Sequence, residues 1–125
     1  MTKSFEDFPV YKKSIELLVQ IFNLLETNEL KNDFALRDQL KRAVLSISNN
    51  IAEGSEYNGN RQFIRFLWIA KGSAAEVRNM IHILYTTQKI DTEKYMDLKN
   101  KCLEISIDLY QFISFLEKNI NHKRN

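Results

Sequence analysis

The sequence predicts an all-α protein: an antiparallel, up-down-up-down four-helix bundle with a left-handed twist. Four segments repeat apolar residues at intervals of three and four, which aligns these side chains on one face of a helix. Three glycines and one proline provide too few turns for a sheet of several strands. We expect one domain over residues 1–125, with helices at about residues 8–26, 33–54, 59–87 and 91–119.

The first two helices are separated by a polar connection. In the first helix the apolar stripe consists of Phe8, Tyr11, Ile15, Leu18, Phe22 and Leu25. Pro9 suits the first turn, because its missing N–H has no helical partner there. Asn32 or Asp33 is the expected cap of the second helix. The seam of that helix consists of Leu36, Leu40, Ala43, Ile47, Asn50 and Gly54, whose small members allow another backbone to come close.

The last two helices follow the same spacing. Asn58 or Asn60 is the expected cap of the third helix, although the Asn58-Gly59 pair is also typical of a β-hairpin. Helical spacing on both sides favours two helices joined by a turn. The third seam consists of Phe63, Phe66, Ala70, Ser73, Val77, Met80 and Leu84. After a cap at Asp91 or Thr92, the fourth consists of Tyr95, Leu98, Cys102, Ile105, Leu109, Phe112 and Leu116. The polar residues 119–125 are expected to fray.

Composition excludes several classes of protein. The formal net charge is +2, and the single cysteine cannot form an internal disulfide. No apolar run approaches the roughly 20 residues that a membrane span requires. The first residues lack the apolar stretch of a secretory signal. We therefore expect a soluble, unprocessed cytoplasmic protein with no membrane partner.

Positive charge is concentrated in the middle of the chain. Residues 37–78 contain seven basic and four acidic side chains, whereas residues 91–118 contain four basic and six acidic ones. The candidate nucleic-acid-binding residues are Arg37, Lys41, Arg42, Arg61, Arg65, Lys71 and Arg78. Such a surface would neutralise phosphates of RNA or DNA without reading the bases. An ordinary solvated face has the same pattern, so charge alone leaves both interpretations open.

The outer face of the second and third helices carries apolar and small residues where a monomeric bundle normally shows charge. These residues are Leu45, Ala52, Ile64, Trp68, Gly72 and Ala75. A bulky aromatic beside small residues suits a second helix that docks from outside, so the sequence predicts self-association through this face. Symmetry would then repeat a weak basic surface and increase its avidity. The alternative is that the loop at residues 56–60 partly buries Trp68.

No set of residues suits a reaction centre or a metal ion. A metal site in a bundle requires several carboxylates and Glu-x-x-His pairs that point inward, and neither His82 nor His122 follows such a glutamate. Cys102 lies on an apolar seam without a basic neighbour on that seam, so it is expected to pack rather than react. We predict no enzyme activity, no metal and no cofactor.

Polar residues on or beside the seams are interpreted as helix registration. Glu53 lies near the turn between the second and third helices, whereas Glu76 lies far from it, so the two cannot act together as general acid and base. We expect Glu76 to pair with Arg37 or Lys41, and Asn50 to form a hydrogen-bonded group with Glu53. Inward polar groups of this kind are costly unless they are satisfied, and they can fix register.

Residues 39–54, QLKRAVLSISNNIAEG, and residues 70–76, AKGSAAE, resemble the four helix bundle family, also called 23S rRNA-intervening-sequence proteins. The opening FEDFPVY at residues 5–11 is similar to the start of the family's first helix, whereas the loop before the second helix lacks the proline often found there. The positions that match the family motif are Gln39, Arg42, Ser46, Asn50, Glu53, Gly54, Gly72, Ser73 and Glu76.

The resemblance implies a bacterial cytoplasmic homopentamer, encoded within intervening sequences of large-subunit rRNA genes or elsewhere in genomes. It also implies a relation to the accessory protein of diversity-generating retroelements, a basic pentameric barrel expected to bind nucleic acid and a reverse transcriptase. The family has no established catalytic residues, so none is assigned. Our hypothesis is a non-enzymatic homo-oligomer that contacts the RNA or DNA backbone. The alternative is a symmetric scaffold that binds another protein.

Overall fold

Four helices form the structure, a computed structural model that describes residues 4–124. They are α1 (Pro9–Leu25), α2 (Phe34–Ser55), α3 (Asn60–Thr86) and α4 (Thr92–Arg124), with a short 3₁₀ turn at Phe5–Asp7 before them. The described residues contain no strand. Helix α1 packs against α2 and α4, and α3 packs against the same two helices. The prediction of an all-α four-helix bundle is confirmed.

Side-chain contacts define how α2 and α3 run past each other. Ser46 in the middle of α2 contacts Ser73 in the middle of α3, whereas Gly54 at the end of α2 lies beside Phe66 near the start of α3. Residues late in one helix therefore meet residues early in the next, so the two helices are antiparallel. Contacts of α4 with α1 and with α3 follow the same order.

The core contains most of the predicted seams, but α1 is offset by about one position. Its most deeply buried apolar side chains are Leu17, Ile21 and Leu25. The predicted stripe was placed too far to one side, since Tyr11 and Phe22 are only partly buried at the edge of the core. Their rings are long enough to cover the core from its flank, so a strong aromatic periodicity marks the border of the buried face.

The connection between α1 and α2 also contributes to the core. The sequence suggested a polar break here, yet the side chain of Leu30 is fully buried, with 0% exposure. The backbone amide of Leu30 donates to the carbonyl of Thr27, and the carbonyl of Leu30 accepts from the amide of Asp33. These turns direct Leu30 inward, so the loop closes this end of the bundle.

The helix ends follow the predicted cap chemistry in two places and differ in two. Asp33 accepts a hydrogen bond from the amide of Leu36, and Asp91 accepts one from the amide of Lys94. The residue before α3 is Gly59, at φ 138°, without a side-chain cap, so the expected asparagine cap is wrong. Helix α4 extends to Arg124, beyond the predicted end at about residue 119. Residue 125 lies outside the described residues.

Helix α3 ends in a Schellman motif built on a residue other than glycine. The amide of Lys89 donates to the carbonyl of Leu84, the amide of Gln88 donates to that of Tyr85, and Gln88 has φ 63°. A side chain in this left-handed conformation costs free energy that glycine avoids.

Gln88→Gly is expected to raise the free energy of unfolding by about 0.5 to 1 kcal/mol, because it removes this conformational cost. Urea denaturation provides the measurement. Gln88→Ala is the matched control and should bring no gain, because alanine keeps the Cβ. Equal stabilisation by both variants would contradict the explanation.

Candidate nucleic-acid and self-association surfaces

Polar motif residues fix the contact between α2 and α3. The Ser73 hydroxyl donates to the Ser46 hydroxyl at 2.8 Å, and the Asn50 amide donates to the carbonyl and hydroxyl oxygens of Ser46 at 2.7 and 2.9 Å. Asn50 therefore bonds within its own helix, and the expected Asn50–Glu53 group is wrong because Glu53 is exposed. Ser46 and Ser73 register one helix on the other.

Gly54 lies at a close contact between α2 and α3. A Cβ on Gly54 would lie 2.6 Å from the Cβ of Phe66 and 3.0 Å from Cδ1 of Phe63. Gly54 lies inside the last turn of α2. Among the described glycines, positive φ is found at Gly59 and not at Gly54, so backbone conformation does not require glycine at position 54. Close approach of α3 therefore explains glycine at position 54.

The predicted pairing of Glu76 with Arg37 or Lys41 is wrong. Arg37 turns toward the α1–α2 connection, where its guanidinium donates to Glu26 at 2.9 Å and to the carbonyl of Lys31 at 2.6 Å. Glu76 is exposed and, among the side chains that the structure describes, forms no ion pair. Gln39, another motif position, is also exposed. Contacts within the chain therefore do not explain every motif residue.

The outer face of α3 exposes Trp68. The indole is 46% exposed, and its ring packs edge-on against Tyr110 of α4 with 6.4 Å between centroids. The alternative that the preceding loop buries it is wrong, because Tyr57 of that loop stacks on Phe66 instead. Trp68 therefore faces outward at the α4 edge of α3, rather than toward α2.

Other apolar and small residues of α2 and α3 are also exposed or half-buried. Gly72 and Ala75 are exposed, and a Cβ on Gly72 would meet nothing within 4 Å. Leu45 is exposed on α2, whereas Ile64 and Ala52 are half-buried. Ile69 and Ile83 are exposed as well, and the sequence interpretation missed them because they lie between the two stripes it considered.

The seven basic residues that were predicted to bind nucleic acid do not form one patch. Arg37 closes the α1–α2 connection, and Lys41 lies over the ring of Phe22 on the α1 side, 5.4 Å from the centroid. Of the seven, the residues exposed on α2 and α3 are Arg42, Arg61 and Arg65. The remaining two, Lys71 and Arg78, face α4, as shown by the Lys71 bond to Ser106 at 2.9 Å and by the pocket that Arg78 lines with α4 residues.

Three acidic residues of α4, Asp97, Glu104 and Asp108, contact side chains of α1. Asp108 and Glu104 both pair with Lys13, at 2.6 and 2.7 Å, and they raise the pKa of Lys13. A hydrogen bond from Gln20, helped by Lys101, lowers the pKa of Asp97. Helix α4 is therefore acidic toward α1, where several of its carboxylates are paired with cations.

The α3–α4 groove brings together residues that the sequence interpretation did not connect. Lys99, Tyr95 and His82 line one pocket with Arg78. The sequence pattern shows Lys99 only as one of the charges of residues 91–118, and it places Tyr95 on the apolar seam of the fourth helix. A helical wheel of α4 would have separated Lys99 and Tyr95 from the three carboxylates that contact α1, Asp97, Glu104 and Asp108.

Catalytic chemistry has little support in the described structure. Cys102 is only 1% exposed, and burial raises its pKa to about 12, so the thiol stays protonated at neutral pH. Its predicted packing role is confirmed. The described residues contain no group of three or more His, Cys, Asp or Glu side chains placed to hold a metal ion. None of the described helices combines the length and apolar character needed to cross a bilayer.

Comparison with known proteins places the chain in a family. The model of the 23S rRNA-intervening sequence proteins matches residues 6–111. This chain belongs to that family. The 23S rRNA-intervening sequence family therefore accounts for the resemblance noted in the sequence, and its matched region extends from the turn before α1 into α4.

A solved structure is similar to this member of the 23S rRNA-intervening sequence family. It is the crystal structure, at 1.70 Å resolution, of a protein of unknown function from the S23 ribosomal protein family of Bacteroides thetaiotaomicron VPI-5482. The two share 31% identity with a TM-score of 0.77, and the alignment covers 83% of this chain and 97% of the other. No curated protein matches. Neither the family description nor the solved structure names an enzymatic activity.

Proposed function

We propose that the chain is a non-enzymatic homo-oligomer, with five subunits as the family resemblance implies, that binds the backbone of RNA or DNA. The observation that carries the proposal is the outer face of α3, where Trp68 is half-exposed beside an open Gly72. An exposed face of this kind on a helix of a small bundle favours an interaction site. The proposed occupant is a second copy of the chain.

Gly72 supports a close helix contact from outside. In the interior of a helix, glycine is less favourable than alanine by about 0.5 to 1 kcal/mol. Packing within the chain gives no reason for this cost, since the space around Gly72 is open. The backbone of a second copy that packs against Gly72, between Trp68 and Ala75, would explain why glycine is present there.

The basic residues on the exposed surface support the nucleic-acid part of the proposal. Arg42, Arg61 and Arg65 are exposed and, within the described part of the chain, form no ion pair. Arg61 and Arg65 are one helical turn apart, so both can contact one phosphate backbone. Repetition of this surface by symmetry raises its avidity.

Light scattering of the purified protein tests self-association. The wild type is expected to have the mass of an oligomer, and Trp68→Glu is expected to have the mass of one chain, because a carboxylate would be buried at the contact. Tyr57→Glu is the matched control, since it changes another exposed aromatic near the α2–α3 turn and should leave the mass unchanged. A monomeric wild type would overturn the proposed assembly.

Filter binding of structured RNA at low salt tests nucleic-acid binding. The double variant Arg61→Glu with Arg65→Glu is expected to abolish RNA retention at micromolar protein. The control, Lys12→Glu with Lys31→Glu, changes the net charge by the same amount on the α1 side and should weaken RNA retention less. Wild-type protein that retains no RNA would overturn nucleic-acid binding. Capture of a protein partner that survives both charge reversals would favour the alternative scaffold function.

A further inference from the structure

A small pocket in the α3–α4 groove gathers basic and polar side chains. Its volume is about 240 Å³, and its lining residues are Ala75, Arg78, Asn79, His82, Tyr95 and Lys99. Sites that enclose drug-sized ligands usually have about 300 to 1,000 Å³. This pocket is therefore suited to a small charged group rather than to a whole nucleobase with its sugar.

No carboxylate lines the pocket. Arg78 and Lys99 are half-buried there, and neither forms an ion pair with any side chain that the structure describes. The acidic residues of α4 nearest in sequence, Asp97 and Glu104, bond to groups on the α1 side. The two cations therefore share one concave site without an internal counter-ion, which favours an anionic ligand.

Neighbouring aromatic residues hold the pocket in shape. The rings of Tyr95 and Tyr85 stack at 4.3 Å with an interplanar angle of 6°, and the ammonium of Lys99 lies 5.6 Å from the centroid of Tyr95. The Tyr95 hydroxyl is 3.3 Å from Nδ1 of His82, and the Tyr85 hydroxyl is 3.1 Å from that of Thr92. These contacts already restrict the side chains of Tyr95, His82 and Lys99. Less conformational entropy is therefore lost when a ligand binds.

We infer that this pocket binds a phosphate group of a nucleic-acid strand. The guanidinium of Arg78 offers paired donors that match phosphate oxygens, Lys99 supplies a second positive charge, and the side chain of Asn79 offers a further donor. This inference rests on the proposed function, because it assigns one phosphate contact of the bound strand. The ligand is an internal phosphodiester or a terminal phosphate monoester, which share the same oxygen chemistry.

The groove beyond the pocket can accept the rest of the strand. Lys71 lies two helical turns before Arg78 on α3, about 10 Å away along the helix axis. Among the described side chains, its hydrogen-bond partner is the neutral Ser106. Farther along is Tyr110 of α4, which is 55% exposed and lies outside the residues assigned to the contact between subunits. A base of a single strand can stack on such a ring while cations contact the backbone. The groove therefore favours a single strand over a duplex.

Fluorescence anisotropy with a single-stranded RNA oligonucleotide, labelled at its 3′ end, tests the pocket. Arg78→Gln with Lys99→Gln is expected to weaken binding about tenfold more than Lys12→Gln with Lys31→Gln, which remove the same charge elsewhere. The pocket variant should also reduce the slope of log affinity against log salt concentration by about one per lost phosphate contact. Circular dichroism confirms folding, and the single variants Lys99→Gln and Lys12→Gln give the same comparison if the double variant unfolds.

The outcomes separate this inference from the proposed function. Equal weakening by pocket and control variants, with wild-type binding intact, overturns the pocket alone. Absence of wild-type binding overturns both.

Oligonucleotides with and without a 5′-phosphate identify the source of the ligand. Equal affinities support an internal phosphodiester, which we expect, whereas a 5′-phosphate advantage that the pocket variant loses supports a terminal phosphate. An advantage that persists in the pocket variant overturns the pocket.

Discussion

Leu30→Ala is expected to lower the free energy of unfolding by about 2 to 5 kcal/mol, the range for a leucine removed from a packed core. The side chain has 0% exposure although it belongs to the α1–α2 connection. Its loss leaves a cavity that the loop cannot easily fill, because backbone hydrogen bonds to Thr27 and Asp33 fix the turn. Urea denaturation monitored by circular dichroism provides the measurement.

Phe34→Ala is the control for Leu30. Phe34 is 68% exposed at the start of α2, so its truncation should cost far less than that of Leu30, although more apolar atoms are removed. If the two substitutions cost the same, the loop does not close the core as described.

Gly54→Ala is expected to lower the free energy of unfolding by about 1 to 2 kcal/mol, because overpacking a well-packed contact costs up to about 3 kcal/mol. The new methyl group would lie 2.6 Å from the Cβ of Phe66, an atom fixed by the backbone of α3. The helices must therefore move apart. Alanine's better helix propensity, worth about 1 kcal/mol, offsets only part of this cost.

Gly72→Ala provides the matched control on α3. Nothing lies within 4 Å of its Cβ position, so the isolated subunit should gain about 0.5 to 1 kcal/mol. Both variants are compared in urea at a protein concentration low enough that association does not contribute to stability. A loss of stability at position 72 as large as at position 54 would contradict the open space around Gly72.

Helical periodicity was sufficient to predict the four helices and most of the core. It failed where burial does not follow periodicity. Leu30 is buried through turn geometry, which a single leucine among polar residues does not reveal. In α1 the bulky Tyr11 and Phe22 marked the edge of the core, because rings reach inward from the flank while Leu17 and Ile21 occupy the centre.

Partners of charged groups were harder to predict than the helices. The pairing of Arg37 with Glu26 depends on the path of the α1–α2 connection. The exposed Trp68 was predicted correctly as outward, but its neighbour Tyr110 depends on the rotation of α4. The α3–α4 pocket depends on that rotation as well, and a count of charges along the chain contains no information about it.

The two-sided character of α4 changes the meaning of the small net charge. At an ionic strength of 0.1 M, the Debye screening length is about 10 Å, close to the diameter of a helix with its side chains, about 10 to 12 Å. Salt therefore weakens the repulsion between a polyanion in the α3–α4 groove and the carboxylates on the far side of α4. Lys13 also compensates Glu104 and Asp108 there. The local potential at the groove, rather than the total of +2, sets the attraction that such a ligand experiences.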